Sequence, residues 1–101
     1  MKTESIIALT KDEIFLKKNQ NNFYDDFLEI FNLTDSYIIY KIFVNVKGIY
    51  STTPASSYIK PKDKIKVYIK REITTESLSN EQIKIQAYKE NEVVDVSLIL
   101  T

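Results

Sequence analysis

Three runs of this chain alternate apolar and polar residues with a period of two: Leu28-Ile30, Ile38-Tyr40-Ile42-Val44 and Ile65-Val67-Ile69. That period puts one set of side chains on one face, so each run is a half-buried strand. Turn chemistry separates the runs, at Asn32-Leu33-Thr34-Asp35, Thr53-Pro54 and Lys60-Pro61-Lys62-Asp63. Short strands punctuated this way define an all-β sandwich. No window places apolar residues at i, i+3, i+4 and i+7 with proper caps, so no helix is expected beyond one turn at Thr75–Leu78.

The same reading runs through the whole chain. Ile6–Leu9 and Ile14–Leu16 are short first strands, and residues 17–22 a polar loop. Phe23–Phe31 follows, with Leu28 and Ile30 toward the core and Glu29 and Phe31 away from it. Tyr37–Val46 is the longest expected strand, broken at Lys47-Gly48. Tyr50–Thr53 is extended, Tyr58-Ile59 lead into the Pro61 turn, and Lys64–Arg71 is another strand. Residues 72–80 are polar and the most mobile by composition. Gln82–Tyr88 and Val93–Leu100 close the chain as a hairpin turning at residues 89–92. A length of 101 residues fits one domain, 1–101.

Composition mainly excludes. With no Cys and no His, thiol nucleophiles, disulfides, Cys/His zinc sites and His-based triads are ruled out within this chain. Ser and Thr therefore have no such base to activate them. Fourteen basic residues balance fourteen acidic ones, which argues against binding nucleic acid through bulk charge but leaves room for a local basic face. Arg71 is the sole arginine, so several-fold bidentate recognition of phosphate is not available. The first apolar run is too short for a signal peptide, and no run approaches a membrane span. A cytoplasmic location is expected, with no membrane insertion. The sequon Asn32-Leu33-Thr34 reads as a turn rather than a glycan site.

The segment Leu28–Asp35 resembles the major sperm protein (MSP) domain family, which includes the cytosolic domain of VAMP-associated proteins. Asn32, Thr34 and Asp35 fit the family's Asn-Pro-Thr/Ser-Asp turn, with Leu33 in place of proline. Tyr40-Lys41-Ile42 fit its Phe-Lys-Val, Tyr50 the later aromatic, Thr53-Pro54 its Arg-Pro, and Pro61-Lys62 its Pro-Gly turn. Ile65-Val67-Ile69 match the strand after that turn, and Leu9-Thr10 and Ile14-Phe15 the opening pattern. The resemblance covers nearly the whole chain without a gap. It implies an immunoglobulin-like sandwich of about seven strands and a protein-binding role. The family's residues for acidic, Phe-containing peptides do not carry over: Phe43, Val44 and Asn45 stand at one set of positions, and Gln82 and Lys84 near the other. Only Lys41 persists as a general basic position. With no coiled coil or anchor after Thr101, recruitment at a membrane contact site is not expected.

Two faces are candidates for binding. If Tyr40, Ile42 and Val44 point inward, then Lys41, Phe43 and Asn45 point out. If Ile83, Ile85 and Ala87 point inward on a neighbouring strand, Lys84, Gln86 and Tyr88 join them. Lys41, Phe43, Asn45, Lys84 and Tyr88 then form a mixed aromatic and basic contact surface, unless residues 72–80 cover Phe43. The other face carries Lys64, Lys66, Tyr68 and Lys70, preceded by Lys60 and Lys62. It suits an acidic peptide or a phosphate backbone, or serves only to discourage edge pairing. The acidic cluster Asp25, Asp26 and Glu29 has no Gly-bearing loop to make it a Ca²⁺ site and reads as a solvated strand start.

The expectation is a non-catalytic protein-interaction module, an adaptor or structural protein, with no cofactor and no metal. Its alternatives are an accessory subunit of a large assembly such as a ribosome or other ribonucleoprotein, touching nucleic acid only through the local basic face, and a self-assembling filament subunit of the sperm-protein type.

Overall fold

The structure, a computed structural model, describes residues 2–3, 5–18, 23–45, 48–72 and 81–100. Its strands are β1 (Lys2–Thr3), β2 (Ile7–Leu9), β3 (Glu13–Ile14), β4 (Lys17–Lys18), β5 (Tyr24–Asn32), β6 (Ile38–Val44), β7 (Tyr50–Thr53), β8 (Ser56–Ile59), β9 (Lys64–Arg71), β10 (Gln82–Lys89) and β11 (Glu92–Leu100). Two sheets form a sandwich. Sheet A runs β1-β2-β5-β9-β7, with β4 also paired to β5, and sheet B runs β3-β11-β10-β6-β8. Every pairing is antiparallel except β3 on β11.

Alternation decides which side chains fill the space between the sheets. Ile7, Leu9, Leu28, Ile30, Val67 and Ile69 come from sheet A, and Ile14, Ile38, Tyr40, Ile59, Ile83, Ile85, Val96 and Leu98 from sheet B; all are buried in one cluster. Each fully buried aliphatic side chain contributes about 1.5–3 kcal/mol. Tyr40 reaches across the core and its hydroxyl donates to the Pro54 carbonyl at 2.9 Å, so its polar end is satisfied. The same burial pushes its pKa up to about 12.

Asn32 holds the turn after β5. It is 2% exposed. Its amide N–H groups point at the carbonyls of Ser36, Ile59 and Lys60 at 2.8, 3.0 and 3.0 Å, and its Oδ1 accepts from the Thr34 backbone at 2.9 Å. This buried amide leaves no room for a glycan, in line with the turn reading of the sequon. At the next turn Lys62 has φ 58°, the left-handed conformation that glycine adopts without strain. It is the position where the resemblance places a glycine. Thr53-Pro54 is a cis peptide bond.

Several boundaries differ from the sequence reading. β5 and β11, at nine residues each, are the longest strands, and β6 has seven. β6 ends at Val44, where the Asn45 side chain accepts the Gln82 backbone N–H at 2.8 Å while the Asn45 N–H donates to the Gln82 carbonyl at 3.2 Å. Lys17–Lys18 is a short strand on Tyr24–Asp25 rather than loop, since an edge tolerates Lys. The expected helical turn at Thr75–Leu78 and the break at Lys47 lie outside the described residues.

Candidate protein-docking surface

Sheet B has one face in the core and one in solvent, and the outer face is ordered in rows. Tyr58 on β8 pairs with Ile39 on β6, Ile39 with Tyr88 on β10, and Tyr88 with Val93 on β11. Four apolar side chains therefore cross the sheet side by side. Tyr58, Ile39 and Val93 are 60%, 51% and 51% exposed. Tyr37 extends the row, its ring centroid 5.8 Å from that of Tyr58. Side chains in direct register lie within about 5.5 Å at Cβ, so this is one contiguous patch rather than scattered exposure.

The predicted contact residues flank it. Lys41 and Gln86 pair in the next row, and Phe43 and Lys84 in the row beyond. Lys84 Nζ stands 5.0 Å over the Phe43 ring, and Lys41 Nζ 5.7 Å from the Tyr88 ring. The Tyr88 hydroxyl donates to Gln86 Oε1, and Gln86 Nε2 donates to Asp95 at 2.9 Å. Phe43 is 45% exposed. Lys41, Phe43, Asn45, Lys84 and Tyr88 thus share one outer face, although Asn45 spends its oxygen on Gln82 at the sheet end. Phe43 and Tyr88 stand two rows apart and do not form one aromatic pair. Ile39, Tyr58, Val93 and Tyr37 escaped the sequence reading. Outward apolar parity flags Ile39, but only the strand order β8-β6-β10-β11 reveals the row.

Sheet A places the second candidate set. Lys64, Lys66, Tyr68 and Lys70 point outward from β9, facing Phe31, Glu29, Phe27 and Asp25 on β5. Lys60 and Lys62 stand in the turn instead, where Lys62 Nζ donates to the Leu33 carbonyl at 2.8 Å. Two of the three acids of the strand start do structural work. Asp26 accepts from Lys11 Nζ at 2.5 Å and from the Phe15 backbone at 3.0 Å, and Glu29 pairs with Lys64 at 2.9 Å. Among the described residues no acidic group is arranged to hold a metal ion, and no helix is long and apolar enough to cross a membrane.

Comparison with solved structures shows the fold. The Caenorhabditis elegans MSP family member WR4 superposes with a TM-score of 0.73 at 18% identity, over 97% of this chain and 100% of its own. SSP-19, an MSP-domain protein like family member from the same organism, gives 0.71 at 10% identity, over 89% of this chain and 94% of its own. The Salmonella enterica SafA pilin–SafB chaperone complex gives 0.73 at 13% identity, over 97% of this chain and 54% of the matched chain. No family model and no curated protein matches the sequence. The chain is an immunoglobulin-like β-sandwich of the kind shared by MSP and PapD-like domains. In particular, its fold is similar to that of the MSP family members, the family that the turn and strand motifs resemble.

Proposed function

We propose that this chain is a non-catalytic protein-interaction module, a cytoplasmic adaptor that docks a partner protein on the outer face of sheet B. The observation that carries this reading is the cross-strand row Tyr58–Ile39–Tyr88–Val93, bordered by Lys41 and Gln86, with Phe43 and Lys84 one row further. A solvent-facing sheet normally alternates apolar-in with polar-out; this one is apolar on both sides along one row. Rigid aromatic anchors rimmed by basic and amide groups are the composition of an interface centre. The fold also matches about half of one chain in the structure of a pilin in complex with a chaperone, which supports a protein as the ligand class.

The test is a photo-crosslinking amino acid placed at Ile39 and, separately, at Tyr68 on the opposite face. A discrete protein adduct formed from Ile39 and absent from Tyr68 is expected. Adducts from Tyr68 alone, or from neither position, contradict the assignment.

A further inference from the structure

We propose that the outer face of sheet A binds single-stranded nucleic acid with little sequence preference. Its lysines and rings interleave. Lys66 Nζ lies 4.0 Å from the Phe27 ring centre and 5.1 Å from that of Tyr68. Lys64 lies 5.6 Å over Phe31, Lys70 3.9 Å over Phe23, and Lys11 4.4 Å over Phe27 from the sheet edge. Phe27 and Tyr68 touch at 6.4 Å between centroids and are 40% and 53% exposed.

Charge complementarity selects the occupant. Glu29 occupies Lys64 and Asp26 occupies Lys11. Lys66 and Lys70 make no ion pair among the described residues, although Glu29 faces Lys66 and Asp25 faces Lys70 across the strands. Lys64 to Lys70 spans about 20 Å along β9, enough for a site of about four nucleotides. Lysines meet phosphates as point charges and carry no base readout, while exposed rings offer stacking surfaces that accept any base. An acidic peptide answers the lysines but makes no use of the exposed ring area of Phe27 and Tyr68.

The test uses fluorescence anisotropy with labelled 12-nucleotide oligo-dT and oligo-U, from low to physiological salt, alongside heparin and anionic phosphatidylserine vesicles. Saturable oligonucleotide binding is expected, with log affinity falling against log salt at a slope of roughly −2 for about three phosphate contacts. Tyr68→Ala should weaken binding at least about fivefold, with Tyr68→Phe restoring it. Lys66→Glu should weaken it about tenfold or more and flatten the slope, while Lys41→Glu on sheet B leaves it unchanged. The DNA and RNA arms report which strand is preferred. Unfolding midpoints of the variants, matched to the parent, separate lost binding from lost folding. Three results overturn the proposal: no oligonucleotide binding, heparin or vesicle binding alone, or affinity indifferent to Tyr68→Ala.

Discussion

Arg71 Nη1 stands 3.5 Å from Glu81 Oε2, joining the end of β9 in sheet A to the residue that precedes β10 in sheet B. Glu81 is 4% exposed, and the same oxygen accepts a hydrogen bond from the Tyr50 hydroxyl. Its other oxygen is buried with no hydrogen-bond partner among the described residues. Removing one member of such a pair strands a buried charge. Arg71→Ala is expected to cost about 3 kcal/mol in chemical denaturation, and Glu81→Gln clearly less. Equal and small losses from both show that the clasp does not hold the sheets.

Asn32 satisfies three carbonyls and a backbone N–H from one buried side chain. Asn32→Ala removes these four bonds together, each contributing about 0.5–1.5 kcal/mol, although the Ser36 and Lys60 carbonyls keep the Thr34 hydroxyl and the Asp63 N–H as donors. A loss of about 3 kcal/mol or more in urea unfolding is expected, while Leu33→Ala on the exposed turn stays within about 0.5 kcal/mol.

Lys62 predicts a near-cancellation. Its φ of 58° costs an L-residue about 1 kcal/mol, and glycine there is freed of that strain. The greater unfolded-state entropy of glycine and the lost bond to Leu33 offset the relief, so Lys62→Gly is expected to lower stability by no more than about 1 kcal/mol, less than Lys62→Ala, which loses the bond and keeps the strain. Denaturation midpoints check it; a midpoint for Lys62→Gly below that of Lys62→Ala shows that the left-handed backbone carries no strain.

Tyr40 and Tyr50 predict the alkaline limit. Burial raises both to about 12, with Glu81 adding to the effect at Tyr50, against about 10 in an unfolded chain. Because the folded pKa lies above the unfolded one, the stability is fully present below pH 10 and is lost as pH rises from 10 through 12. For Tyr40 this amounts to about 2–3 kcal/mol. Tyrosinate absorbance checks it: two of the seven tyrosines should ionise only near pH 12 in the native protein, and all seven near pH 10 once it is denatured.

The strands and their inward faces were legible because period two survives in almost every run, and Leu28, Ile30, Tyr40, Ile83 and Ile85 are buried where alternation puts them. The outer faces were legible by the same parity. Neighbourhood was not. Nothing local in Tyr58 or Val93 says that each stands beside Ile39 or Tyr88, because strand order is set by long-range pairing. Glu81 was hidden for another reason: it sits at the end of a polar stretch, and only its tertiary placement against Arg71 and Tyr50 buries it.

The central claim is that a partner protein seats on the Tyr58–Ile39–Tyr88–Val93 row. The most direct measurement is calorimetric titration of the partner captured at Ile39 against the parent protein and against Ile39→Asp, with matched unfolding midpoints. The account predicts an affinity loss of about tenfold or more, in the range of a buried hot-spot residue, with Tyr68→Ala unchanged. Equal affinity for the parent and Ile39→Asp contradicts it.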